Sequence, residues 1–94
     1  MTVSATAYCQ NGTTASGEQT RPGIVAADPR VIPMGTRLRI NGLRQPDTVV
    51  YKVSDTGSAV KGREIDIYMP SCGDAIRFGR RRIEVHVLAP ARGD

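Results

Sequence analysis

The apolar residues of this chain come in runs too short for a helical bundle: IVAA at 24–27, VVYKV at 49–53, EIDIY at 64–68 and RIEVHV at 82–87. β-Branched residues cluster in them, and in EIDIY and RIEVHV they alternate with polar ones, which is the period of a half-buried strand. With no Trp, one Phe and three Tyr in 94 residues, the core has to be built from Val, Ile, Leu and Ala. A domain of this size buries only about 60–65% of its unfolded surface, so that core is thin.

The pattern predicts strands over residues 3–8, 24–27, 36–40, 48–54, 64–68 and 82–88, the last with Ile83, Val85 and Val87 on one face. Residues 11–23, NGTTASGEQTRPG, read as a long surface loop; Asp28-Pro29, Pro33-Met34-Gly35 and Asn41-Gly42 read as turns. One helix is expected over 71–78, with Ser71 capping it, Asp74 near its positive end and Gly79 stopping it. No repeat or linker interrupts residues 1–94, so the expectation is a single all-β domain. Six short strands with one short helix favour a closed barrel, because closure leaves no exposed edges.

Cys9 and Cys72 are the two cysteines. A bridge between them would enclose most of the domain and stabilise it by roughly 4 kcal/mol through the loop it closes. The alternative is a pair of separate buried thiols; two cysteines are too few for a zinc site. A disulfide places the protein outside the cytosol. The opening MTVSATAY has neither the basic start nor the apolar run of a signal peptide, and the chain holds no membrane-spanning stretch. The expectation is therefore a piece of a longer exported precursor, with Met1 an added start. Thirteen Lys and Arg against nine Asp and Glu give a net charge of +4, which points to an anionic partner or surface.

The stretch SDTGSAVKG at 54–62 contains the Asp-Thr-Gly-Ser signature of aspartic proteases. Only 39 residues follow Asp55, they are taken up by a strand, a helix and a strand, and Ser54 stands where those proteases carry an apolar residue. The motif is better read as a turn, with Gly57 and Gly62 supplying unusual backbone angles and Thr56 and Ser58 satisfying backbone groups. Asp66 lies eleven residues after Asp55. Ile65 and Ile67 share one face of its strand, so Asp66 points to the other with Glu64 and Tyr68. If 54–62 joins the two strands directly, both carboxyls meet at one end of the barrel. Asp28, before Pro29, reads as a turn cap or a supporting group. Lys52 and Lys61 flank the motif and are candidates for binding a carboxylate. The three arginines at 80–82 lack an aromatic platform, which argues against nucleic acid. His86 reads as exposed beside Glu84, and the aspartates lack the spacing of a calcium loop, so neither metal nor cofactor is expected.

The chain resembles the 3D domain family, named for three aspartates, a double-psi β-barrel of bacterial cell-wall proteins that include stationary-phase survival proteins, resuscitation-promoting factors and membrane-bound lytic transglycosylase A. The resemblance runs through ATAYC at 5–9, AADPRVIPMGT at 26–36, SDTGSAVKG, EIDIYMPSC at 64–72 and FGRRRIEVHVL at 78–88. The three aspartates fall on Asp28, Asp55 and Asp66, and Ser58 replaces a customary second glycine. The resemblance implies an enzyme, a lytic transglycosylase that cleaves peptidoglycan glycan strands without water. Asp66 takes the catalytic position, Asp55 that of its neighbour, and Thr6 a place within reach of substrate. A second nearby carboxylate would raise the proton affinity of Asp66. Two other readings are a non-catalytic, expansin-like glycan-binding module and an inverting endoglycosidase with Asp55 as base and Asp66 as acid. In each the partner is wall glycan, the arginine run suits an acidic wall polymer, and the location is extracytoplasmic.

Overall fold

The computed structural model describes residues 1–43 and 49–88. Six strands, β1 (Thr2–Tyr8), β2 (Ile24–Ala27), β3 (Arg37–Ile40), β4 (Tyr51–Asp55), β5 (Glu64–Tyr68) and β6 (Arg81–Val87), and one helix, α1 (Cys72–Phe78), make up its regular structure. The strands close in the order β1-β5-β2-β4-β3-β6. Pairs β1–β5 and β2–β4 are parallel and the other four antiparallel, so the molecule is a mixed double-psi barrel.

Inward positions follow the period of two. Val3, Ala5, Val25, Ala27, Leu38, Ile40, Val53, Ile65, Ile67, Ile83 and Val85 fill the interior. Strand β2, in the middle of the order and buried along its whole length, is apolar on both sides, whereas β3 and β6 show residues to solvent. Two expectations shift. Val87 is half exposed where Ile83 and Val85 are buried, although it stands opposite the buried Leu38 of β3. The fourth strand begins at Tyr51; the expected start at Thr48 lies outside the described residues.

The helix is held at both ends. The Ser71 hydroxyl accepts a hydrogen bond from the Asp74 amide, and Gly79 ends the helix with a φ of 65°. Cys72 in its first turn is bonded to Cys9, just past β1, across 63 residues of sequence. The expected bridge is therefore present.

Candidate active site

The registers bring three strands' worth of polar side chains into one row. Thr6 on β1 pairs with Asp66 on β5, Asp66 pairs with Ala26 on β2, and Ala26 pairs in turn with Asp55 on β4. Residues directly opposite one another share a face. Since Ala5, Ile65 and Ala27 point into the core, Thr6, Asp66 and Ala26 point outward.

Asp55 joins that row through a β-bulge. Val25 pairs with Val53, yet Ala26 pairs with Asp55, so Ser54 is an extra residue on β4. Without it, strict alternation would turn Asp55 inward with Val53; the inserted residue resets the phase and aims the carboxylate at the outer wall. Ser54 is fully buried, and its hydroxyl donates to Glu18 Oε1 at 2.9 Å. Asp55 and Asp66 thus flank Ala26, two strand spacings or roughly 10 Å apart at their Cα atoms, with only a methyl group between them. Residues 54–62 connect β4 to β5 as expected, but the two strands are not neighbours: β2 lies between them.

The two carboxylates have different surroundings. Thr6 Oγ1 donates to Asp66 Oδ1 at 3.0 Å. Burial pushes the Asp66 pKa up from the ordinary 3.8, opposed by the Thr6 hydrogen bond and the nearby Arg80 charge. Asp55 does not figure among these causes, so burial takes the role that a like charge was expected to play. Asp55 Oδ1 accepts from the backbone amides of Ala15 and Thr56, each at 2.9 Å. It therefore anchors the 11–23 loop to the end of β4, leaving one carboxylate oxygen for other partners.

That loop is stitched down at a second point. Glu18 accepts from Ser54, Ser16 and Lys52 and pairs with Arg21. Lys52, expected as a carboxylate binder, is thereby engaged 3.1 Å from Glu18. Lys61 is exposed in the turn before β5, and its backbone amide donates to Glu64. Asp28 is 97% buried, accepting from the Arg30 guanidinium, the Arg30 amide and the Gly62 amide. These bonds hold its carboxyl far below the usual range. It clamps the turn after β2 to the loop before β5, at Gly62 with its φ of 67°.

Of three neighbours of the row, Tyr8 and Glu18 were not singled out by sequence reasoning, and Arg80 was read only as part of the arginine run. Tyr8 shares the outward phase of Thr6, its ring lies edge-on to Tyr68 at 5.4 Å, and its buried hydroxyl has no partner. Burial and the charges of Asp55 and Asp66 push its pKa up to about 12, so the phenol stays protonated and available as a donor. Arg80 bridges Ser4 and Glu64 at the other end of the β1–β5 face. Glu18, in an irregular loop, gave no periodic signal; Tyr8, two residues after Thr6, did. A separate cleft of about 500 Å³, lined in part by Gly23, Tyr51, Met69, Phe78 and Arg81, contains neither Asp55 nor Asp66. Among the described residues no cluster of three or more metal-ligating side chains forms, and no helix is long and apolar enough to cross a membrane.

Known proteins share this barrel. The cell wall-binding protein YocH of Bacillus subtilis is 36% identical over 97 residues, which cover 94% of this chain and 32% of YocH. A probable endolytic peptidoglycan transglycosylase RlpA of a Nostoc species is 39% identical over 54 residues, covering 57% of this chain and 15% of RlpA. The crystal structure of Escherichia coli MltA with bound chitohexaose superposes with a TM-score of 0.69 at 26% identity, over 88% of this chain and 29% of MltA. The chain spans about a third or less of each of these proteins. The sequence pattern of the 3D domain matches residues 23–89, from the turn before β2 to just past β6, and the chain belongs to that family.

Proposed function

We propose that this barrel cleaves the glycan strands of peptidoglycan as a lytic transglycosylase domain, with Asp66 as the general acid and then the general base. The observation that carries the reading is the environment of Asp66: a half-buried carboxyl of raised proton affinity, oriented by Thr6, in a row with Asp55 on the outer wall. The likeness to MltA and RlpA supports the same chemistry.

In the first step the protonated Asp66 carboxyl gives its proton to the glycosidic oxygen as the C1–O bond breaks. In the second the 6-hydroxyl of the same sugar attacks C1, and its proton passes to the Asp66 carboxylate. The product is a 1,6-anhydro ring, the acid is regenerated, and no water is consumed. A group poised near its working protonation state performs both transfers best. Asp55 acts as a positioning residue: its bonds to Ala15 and Thr56 fix the loop that walls the row.

The binding-module reading draws on the likeness to the cell wall-binding protein YocH. Product ends separate the alternatives. Incubation with purified walls, followed by mass spectrometry, is expected to give anhydro ends that vanish with Asp66→Asn. Reducing ends would identify an inverting hydrolase, and an absence of new ends a binding module. The disulfide and the wall-associated relatives support an extracytoplasmic location.

A further inference from the structure

We propose that the face of the barrel opposite the carboxylate row, formed by β3 with β6, docks a linear phosphodiester polyanion. The row occupies β1, β5, β2 and β4, and β3 and β6 complete the circle. On β3, Leu38 and Ile40 fill the core, which leaves Arg37 and Arg39 exposed on the outside. Ion pairs among the described residues engage Arg21, Arg30, Lys52, Arg77 and Arg80, but neither Arg37 nor Arg39.

Arg37 pairs in register with Lys52 on β4, and Arg39 with the His86 imidazole on β6. The like charges of Arg37 and Lys52 work against the sheet. Glu18 relieves Lys52, and Glu84, the acidic residue beside His86 on β6, is turned to the Thr2 hydroxyl of β1. The charge of β3 is thus left for something outside the described chain.

The chemistry of the face selects the occupant. Guanidinium forks match phosphate oxygens two at a time. Arg37 and Arg39 sit two strand steps apart, about 6.8 Å, so they engage successive charges of an extended polymer. Asn41, which hydrogen-bonds His86 at 3.2 Å, adds a polar edge. No Phe, Tyr or Trp stands among the outward residues Arg37, Arg39, Glu84 and His86, and the one ring, the His86 imidazole, is engaged by Asn41, so a polymer without bases fits better than nucleic acid. Docked this way, the protein turns Asp66 away from the polyanion.

Binding of poly(glycerol phosphate) by the purified protein tests this, followed by calorimetry across a salt series. The Arg37→Gln/Arg39→Gln variant is expected to bind at least tenfold more weakly, with a log K against log salt slope shallower by roughly one to one and a half. Arg63→Gln/Arg77→Gln removes the same net charge from exposed positions outside β3 and β6, and Asp66→Asn alters the proposed chemistry; both are expected to bind like the parent. Equal loss in the Arg63/Arg77 variant, no loss in the Arg37/Arg39 variant, or tighter binding of polyglutamate or of a single-stranded oligonucleotide would overturn the proposal. Because binding is read directly, the outcome is independent of whether the barrel cleaves glycan.

Discussion

Asp66 and Thr6 form the smallest unit on which the proposed chemistry depends, and their hydrogen bond acts against burial. Burial favours the protonated carboxyl, while the Thr6 hydroxyl, donating at 3.0 Å, favours the ionised one. The acid step needs the proton, so the rate is expected to fall as pH rises through the Asp66 pKa. Thr6→Val removes the donor and keeps the shape, which leaves burial less opposed. The alkaline limb of the pH–rate profile is therefore expected to move to higher pH, whereas loss of a merely structural contact would lower the rate evenly at every pH. The sign for stability runs the same way. A carboxyl whose folded pKa exceeds the unfolded 3.8 contributes its stability in acid and loses it as pH rises through the folded value. Asp66→Asn removes that loss, so a thermal scan should show the inactive variant folded, with a Tm at neutral pH no lower than the parent's.

The 11–23 loop and the β4 bulge work as one element. Glu18 reaches Ser54, the bulged residue, while Ala15 reaches Asp55 one residue further on. Glu18→Ala leaves the buried Ser54 hydroxyl without this acceptor, releases Lys52 from the loop and removes the Glu18–Arg21 pair within it, so both seams loosen together. The expected result is faster hydrogen exchange at the Ala15 amide and a higher KM for soluble glycan, with kcat reduced less because Asp66 and Thr6 are not touched. Unchanged exchange at Ala15 would show that Asp55 holds the loop without help. This element also marks where the sequence stops being legible. The period of two in EIDIY and RIEVHV predicted the strands and the outward aim of Asp66, and Ser71, Asp74 and Gly79 predicted the helix. Which strands adjoin was not legible, because the parallel pairs β1–β5 and β2–β4 join residues distant in sequence that no turn brings together. A bulge leaves no local trace either: Ser54 fits an alternating strand until β2 is placed beside it. Tyr8 was readable as an outward residue, but its raised pKa depends on its burial and on the charges of Asp55 and Asp66 arriving from two other strands.

At the scale of the whole molecule, closure depends on β1, whose partners β5 and β6 lie more than half the chain away. Fixing such a strand requires closing a long loop, and the core available to offset that cost is made of small aliphatic side chains. The Cys9–Cys72 bond joins the end of β1 to the start of α1, which directly follows β5, so it closes this same loop in the unfolded chain as well. For a separation of 63 residues the expected contribution is about 4 kcal/mol. A domain of this kind has roughly 5–15 kcal/mol in total, so reduction removes a large share of it. Urea unfolding with and without reductant, checked with Cys9→Ser/Cys72→Ser, should show a loss of about that size; a loss below about 1 kcal/mol would refute the loop argument. The loss should also be uneven. Thr6 and Tyr8 sit on β1 a few residues before Cys9, so fraying from the freed end of that strand carries the Asp66 partner away before the barrel opens. Hydrogen exchange in the reduced protein is accordingly expected to rise first along β1, and glycan cleavage to fail at urea concentrations where β2 and β4 are still protected.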